Sequence, residues 1–323
     1  MTEPVVTAPG KVLWAGEYAV LDGGPAVLTA VDRRVVARVH GDAQPGSPFL
    51  RAVAEEIERE QGEILARRAD RLVVDSSALQ HAGKKLGLGS SAAATVAATA
   101  AVLAPVRPSV ATVHRLAHRA HGLAQSRRGA RGSGADVAAA VHGGALVAHR
   151  AGDEHAPLAV TPLPFPAALS FALVWTGVPA ETTSLVAQVS AARGRTGPAL
   201  REIADAAAAL AAAFSAGDAA AAIDAVIRGA EALAALGEAA GAPLVPAIWS
   251  ECHGLARVHG GAAKPTGAGG GDLLLAVFPS ADAAEAFRSD ATGRGMTPVS
   301  CAVSPSGVDL QPPREPSKFP GIS

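Results

Sequence analysis

The segment KKLGLGSSAAATVAATAAVL, beginning at Lys84, constrains this chain most, because a glycine and serine loop runs directly into an alanine-rich helix. Gly87 and Gly89 let the backbone bend and approach a ligand, and Ser90 and Ser91 are good caps for the helix that follows. The unpaired N–H groups of its first turn and the positive end of the helix dipole favour an anion by roughly 0.3–1 kcal/mol, and by up to about 2 kcal/mol in a partly buried site. Taken alone, such a loop is either a turn or a phosphate cradle. It is not a Walker A loop, since neither Gly10-Lys11 nor Gly83-Lys84 is followed by serine or threonine.

Residues of the hydrophobic class make up 49% of the chain and aromatics only 3%, so the core must be filled by Ala, Val and Leu with closely packed helices. At 323 residues two domains are expected, because single cores stop growing near ~250–300 residues. Lysine and arginine (28) nearly cancel aspartate and glutamate (29), leaving a net charge of −1. This lacks the basic excess of a nucleic-acid or anionic-membrane binder, so an anionic partner has to be held locally. Cys252 and Cys301 stand far apart with no CxxC or zinc-like spacing and read as buried thiols. The opening MTEPVVTAPGK has no basic and apolar leader, and the alanine-rich 205–240 stretch is broken by charges, so a cytoplasmic protein is expected.

The first ~40 residues read as four short strands, VVTAP, KVLWAGEY, PAVLTAV and RRVVARVH, with turns at Pro9-Gly10 and Asp22-Gly23-Gly24. A helix over 49–60, a strand over 71–75, the glycine loop with its helix to Leu103, and a capped helix over 109–124 follow. RGSGADVAAAVHGG then leads through a short helix into the strand ALVAH. Prolines 157, 162, 164 and 166 mark a crossing, which places the domain boundary near residue 165. The second half reads as the strand LSFALVWTG, alanine-rich helices, a helix over 246–259, a glycine loop, the strand LLLAVF, a helix and a final strand PVSCAVS. This order predicts an α+β sandwich with helices on one face.

APGKVLWAGEYAVLDGGPAV, KKLGLGSSAA, RGSGADVAAAVHGG and KPTGAGGGDLLLAVF occur in one chain in this order. The set resembles the GHMP kinase superfamily over nearly the whole length. The resemblance implies a two-domain fold: a ribosomal-protein-type N-terminal domain over 1–165 and a ferredoxin-like C-terminal domain over 166–323. Within the superfamily, Gly16-Glu17-Tyr18 followed by AVLDGG, the lysine-bearing lead-in at Lys84 and Lys85, GSGADVAAAVHGG and WTGVPAETTSLV resemble the phosphomevalonate kinases. That implies transfer of a phosphoryl group from ATP, with Mg2+, to 5-phosphomevalonate on the mevalonate route to isoprenoids. Mevalonate kinase or another GHMP small-molecule kinase is the nearest alternative, and a catalytically silent GHMP-fold sensor the more distant one. The partners implied are ATP and the small acceptor, with a homodimer admissible and neither nucleic acid nor membrane.

Carried over by this resemblance, Asp136 orients the attacking oxygen or accepts its proton, and Lys11 lies beside it to balance charge. Gly87, Leu88, Gly89, Ser90, Ser91 and Ala92 would hold the ATP phosphates through backbone N–H groups. Ser90 and Ser91 either only cap the helix or also supply hydroxyls to phosphate or Mg2+. Gln125 stands eleven residues before Asp136, where mevalonate kinases carry a glutamate ligand, and a neutral amide is a poorer magnesium ligand. A phosphorylated acceptor needs cations, for which Lys84, Arg127, Arg128 and Arg131 are candidates, although clustered arginines are as often a solvated helix end. Glu17, Tyr18, Ser133, Gly134 and Thr183 are further substrate-side candidates, as are Gly267, Ala268 and Gly269, whose loop would close the cleft. Asp272 is expected to support that loop.

Overall fold

The computed structural model describes residues 3–40, 46–130, 132–153 and 156–311. Its first half runs β1 (Val5–Ala15), β2 (Ala26–Val39), α1 (Pro48–Gln61), α2 (Glu63–Ala66), β3 (Leu72–Asp75), β4 (Gln80–His81), β5 (Lys84–Lys85), α3 (Ser90–Leu103), α4 (Val110–Ser126), α5 (Ala135–His142), β6 (Ala145–His149) and β7 (Ala159–Leu163). The second half continues with β8 (Ser170–Trp175), α6 (Thr182–Ala191), α7 (Arg193–Ala216), α8 (Ala219–Ala240), α9 (Trp249–Val258), β9 (Ala262–Pro265), β10 (Leu273–Phe278), α10 (Ala281–Gly293), β11 (Thr297–Val299) and β12 (Asp309–Gln311).

The opening forms two long strands where four short ones were expected. Pro9-Gly10 is not a turn: β1 passes through it with a register shift against β2. The reason is close packing, since a Cβ on Gly10 would lie 2.8 Å from the Leu88 carbonyl oxygen, which accepts a hydrogen bond from the Lys11 backbone N–H at 2.8 Å. The glycine therefore lets β1 touch the glycine loop. The first sheet has the order β12-β1-β2-β6-β7, with β3 also on β2. Pro162 sits in β7, an edge strand, where its missing donor costs no ladder bond.

α3 is the centre of this half. Every residue from Thr95 to Leu103 is buried, so this part of the helix has no solvent face, and α3 packs against β1, β2, α1, α4 and α5. Alanine allows that density because it keeps neighbouring backbones close. Asp218 caps α8, its carboxylate accepting from the Ala221 N–H at 2.9 Å.

The second sheet is antiparallel, ordered β11-β8-β10-β9, which in chain order is fourth, first, third, second. Helices cover both of its faces rather than the one expected. Ala172, Val174, Leu274, Ala276 and Phe278 pack with Cys252, Leu255 and Phe287 of α9 and α10. Phe171, Leu173, Leu273, Leu275 and Val277 join the main core with Leu210, Phe214 and Val226 of α7 and α8. A strand buried on both sides has no polar alternation, which explains the continuous apolar run of β10. Trp14 joins the two halves: its ring meets Phe165, Phe171 and Phe214 edge-on at 5.6, 5.6 and 5.3 Å, and its Nε1 donates to Thr29 Oγ1 at 2.9 Å.

The last expected strand is shorter than PVSCAVS, with pairing ending at Val299 and resuming only as a Val31–Val303 bridge. The chain then returns to the first sheet as β12, antiparallel to β1. Arg34 anchors that return through bonds to the carbonyls of Ser306 and Gly307 and the hydroxyl of Ser304.

Candidate active site

A cleft of about 570 Å³ lies between the two halves, walled by the glycine loop and the start of α3, the start of α5, the end of α4, the first motif after β1, and the turns that begin at 179 and 266. Its floor is set by glycines. Gly89 has a φ of 75°, and a Cβ there would lie 3.0 Å from Lys11 Cγ and 3.5 Å from Asp136 Cβ. The loop thus bends over the two side chains and brings them together, although they are 125 residues apart (136 − 11). Lys11 Nζ donates to the Gly87 carbonyl at 3.4 Å.

The first intrahelical bond at the start of α3 joins Ala93 N–H to the Gly89 carbonyl at 3.0 Å. The N–H groups of Ser90, Ser91 and Ala92 precede it and have no intrahelical acceptor, as an anion cradle requires. The hydroxyl-bearing residues Ser90 and Ser91 line the cleft, whereas Leu88 and Ala92 are buried and can contribute backbone only. Asp136 lies in the first turn of α5, which Gly134 and Ser133 open, the Ser133 hydroxyl accepting from the Ala135 N–H at 3.2 Å. Gly134 itself lies against the His118 ring rather than on the cleft wall.

Other expected residues are divided by the tertiary structure. Gln125, Arg128, Thr183, Gly267 and Ala268 line the cleft. Arg127 does not: both its terminal nitrogens bind the Glu55 carboxylate at 2.7 Å on the surface. Lys84 stands over the Trp175 ring, 5.9 Å from its centroid, and Lys85 lines the cleft in its place, because successive strand residues point to opposite faces. Gly269 packs beneath Leu244, whose carbonyl would be 2.2 Å from a Cβ there. Arg131 lies outside the described residues.

Glu17 and Tyr18 reach the cleft wall, but their polar ends are committed to the protein. The Glu17 carboxylate pairs with Lys264, and the Tyr18 hydroxyl donates to the Ala268 carbonyl at 2.6 Å. Burial first, and the Glu17 charge second, push the Tyr18 phenol well above its ordinary pKa, so it stays a donor. Thr266 adds a bond from its hydroxyl to the Leu13 carbonyl at 2.7 Å. The first and last motifs are thereby latched together.

Asp272 has a larger place in the site than its sequence position suggested. It has a φ of 53°, exchanges backbone bonds with Thr176 and Val178 at 2.9 and 2.7 Å, and accepts from the Ala180 N–H at 3.1 Å. A Cβ on Gly87 would lie 2.5–2.7 Å from its side chain, so its carboxylate rests against the phosphate loop. Burial raises its pKa, opposed by the Ala180 N–H and by the charges of Lys11 and Lys85. The acid at the end of GAGGGD was the available sequence clue. His121 gave none: it lies behind Ser91, its Nε2 3.3 Å from the serine hydroxyl.

Residues 49–144 match the GHMP kinases N terminal domain. The chain is 32% identical to a phosphomevalonate kinase of Streptomyces sp. strain CL190, an alignment covering 84% of this chain and 88% of that protein. Among solved structures, a Lin0012 protein from Listeria innocua superposes with a TM-score of 0.82 at 24% identity, covering 95% of this chain and 99% of that one. Phosphomevalonate kinase of Streptococcus pneumoniae, in complex with phosphomevalonate and AMPPNP, superposes with a TM-score of 0.75 at 21% identity, covering 93% and 99%.

Proposed function

Since this chain belongs to the phosphomevalonate kinase family within the GHMP kinases, we propose that it transfers the γ-phosphoryl group of ATP to the phosphate of 5-phosphomevalonate. The products are 5-diphosphomevalonate and ADP. An acceptor phosphate oxygen forms a bond to the γ-phosphorus, and the bond from that phosphorus to the β,γ-bridging oxygen breaks. What carries this reading is the convergence of Lys11, Asp136 and the first-turn N–H groups of α3 in a cleft that Arg128 also lines.

Phosphoryl transfer needs positioning and charge neutralisation more than covalent chemistry. The N–H groups of Ser90, Ser91 and Ala92 hold the ATP phosphates, and Lys11 balances charge on the group in transfer. The acceptor phosphate is already largely ionised at neutral pH, so Asp136 orients it and balances charge more than it removes a proton. Arg128 and Lys85 meet the acceptor phosphate. The latch from Tyr18 and Thr266 holds the last glycine loop over the substrates and keeps out water that would hydrolyse ATP.

Among the described residues, no group of three or more His, Cys, Asp or Glu could hold a metal ion. Oxygen donors suited to magnesium do line the cleft, namely the hydroxyls of Ser90 and Ser91, the carboxylates of Asp136 and Asp272, and the amide oxygen of Gln125. Such a sparse set suits an ion that keeps its waters and arrives with ATP rather than one caged by protein. When bound, Mg2+ neutralises charge on the transferring phosphates.

In this reading the half up to residue 165 carries the phosphate wall and the second half closes it. Each chain holds a whole cleft, so a homodimer would carry two independent sites. No helix among the described residues is long and apolar enough to cross a membrane, and we place the reaction in the cytoplasm, where ATP is supplied. The test is a coupled ADP-release assay with ATP and Mg2+, offering 5-phosphomevalonate or mevalonate and weighing the product. Turnover on 5-phosphomevalonate alone is expected; turnover on mevalonate instead overturns the assignment.

A further inference from the structure

α4 carries His121, one of the most deeply placed polar side chains near the cleft, at 3% exposure. Its ring stacks on Phe49 of α1, centroids 5.1 Å apart and planes at 25°, and that same Phe49 ring lies 5.8 Å from the Arg128 guanidinium. Its Nε2 lies 3.3 Å from Ser91 Oγ, and the Ser91 carbonyl accepts a bond from Thr95 Oγ1 at 2.8 Å. Burial lowers the His121 pKa, with the nearby Asp136 charge opposing, which favours the neutral imidazole. A neutral imidazole has one donor and one acceptor nitrogen, and either can engage a hydroxyl.

A serine hydroxyl alone would distribute among three staggered rotamers. Ser91 is different because a ring clamped between helices reaches it from behind while its front faces the cleft.

We infer that His121 is a positioning residue for nucleotide binding, holding the Ser91 hydroxyl in the rotamer that faces the ATP phosphates. The inference rests on the reading of this cleft as an ATP site. His121 touches no substrate; it acts through Ser91, and the stacked Phe49 ring keeps it aligned. The work of the pair is pre-organisation, so its loss appears first in nucleotide affinity and in KM for ATP, with KM for the acceptor little changed.

The test is a double-mutant cycle between His121→Leu and Ser91→Ala, read by calorimetric binding of a non-hydrolysable ATP analogue with Mg2+. In the wild-type background, His121→Leu is expected to weaken binding by roughly 3–10-fold. With Ser91→Ala already present, the same change is expected to weaken it by less than about 2-fold, because the group it positions is gone. Equal losses in both backgrounds overturn the inference, since they mean that His121 only supports the helix packing. His121→Gln, whose amide reaches the place of Nε2, is expected to restore binding, whereas the shorter His121→Asn is not. This pair of variants also decides the matter if His121→Leu does not fold, and equal affinities for the two amides overturn the inference. If the wild-type protein itself binds no ATP analogue, the reading of the cleft fails and the inference falls with it. Wild-type binding that is unchanged by His121→Leu removes the inference alone.

Discussion

Lys264 Nζ pairs with the Glu17 carboxylate across 247 residues of chain, and both side chains are sealed from solvent at 0% and 1% exposure. The lysine also donates to the Pro265 carbonyl at 2.8 Å. The pair joins the first motif to β9, the strand that launches the last glycine loop. Glu17→Gln would leave the ammonium buried without its counter-charge, and a loss of about 3–5 kcal/mol is expected in urea denaturation. Glu17→Leu combined with Lys264→Met should recover most of it, because the desolvation cost of both charges then disappears together. A Glu17→Gln protein as stable as wild type would remove the pair from the stability argument.

Asp136 stands in the first turn of α5 with its Cβ beside Gly89, and Gly134 rather than the aspartate is the N-cap of that helix. Asp136→Ala is expected to lower kcat by about 10²-fold or more while the thermal midpoint changes little. Steady-state kinetics with both substrates saturating, beside a thermal melt, check this. Near-wild-type turnover would take Asp136 out of the mechanism.

Arg127 and Arg128 are neighbours in sequence with opposite expectations. Arg128 lines the cleft, and charge-assisted bonds to a phosphate are worth about 1.5–3 kcal/mol, so Arg128→Ala should raise KM for the acceptor by roughly 10–100-fold. Arg127 is spent on Glu55 at the surface, and Arg127→Ala should leave that KM within about 2-fold. Acceptor titrations of the two variants at fixed ATP separate the cases, and similar KM values would refute the division.

Burial holds the Asp272 pKa above its ordinary value. A carboxyl with a raised folded-state pKa contributes stability that is present below its unfolded pKa and is lost as pH rises through the folded value. At neutral pH the ionised group therefore costs stability, and Asp272→Asn should be the more stable protein there, its advantage shrinking as pH falls through the carboxylate range. Asparagine also tolerates the φ of 53° and keeps an oxygen for the Ala180 N–H. Urea midpoints from about pH 4 to about pH 8 test the sign. A stability difference that does not vary with pH would mean that the charge is already balanced by Lys11 and Lys85.

Much of the architecture is written in short windows of the chain. The α3 helix, the capped α4, the apolar β10 and the four glycine-bearing motifs follow from local rules of φ, capping and periodicity, which depend on neighbours a few residues away, whereas the serine cap expected for α3 is replaced by Gly89, at a φ of 75° and with no side-chain capping bond, because the chain must turn there beside Lys11 and Asp136. The same windows misread Pro9-Gly10 as a turn, because the demand on Gly10 comes from Leu88, far along the chain. They could not tell Lys84 from Lys85 or Arg127 from Arg128, since adjacent cations differ only in which face the fold turns inward. Nor could they show Glu17 committed to Lys264, or His121 seated behind Ser91. The chain by itself determined the elements, their order and the chemistry on offer. Tertiary structure decided which groups share the cleft, because burial, pairing and direction are set by contacts that close loops of tens to hundreds of residues.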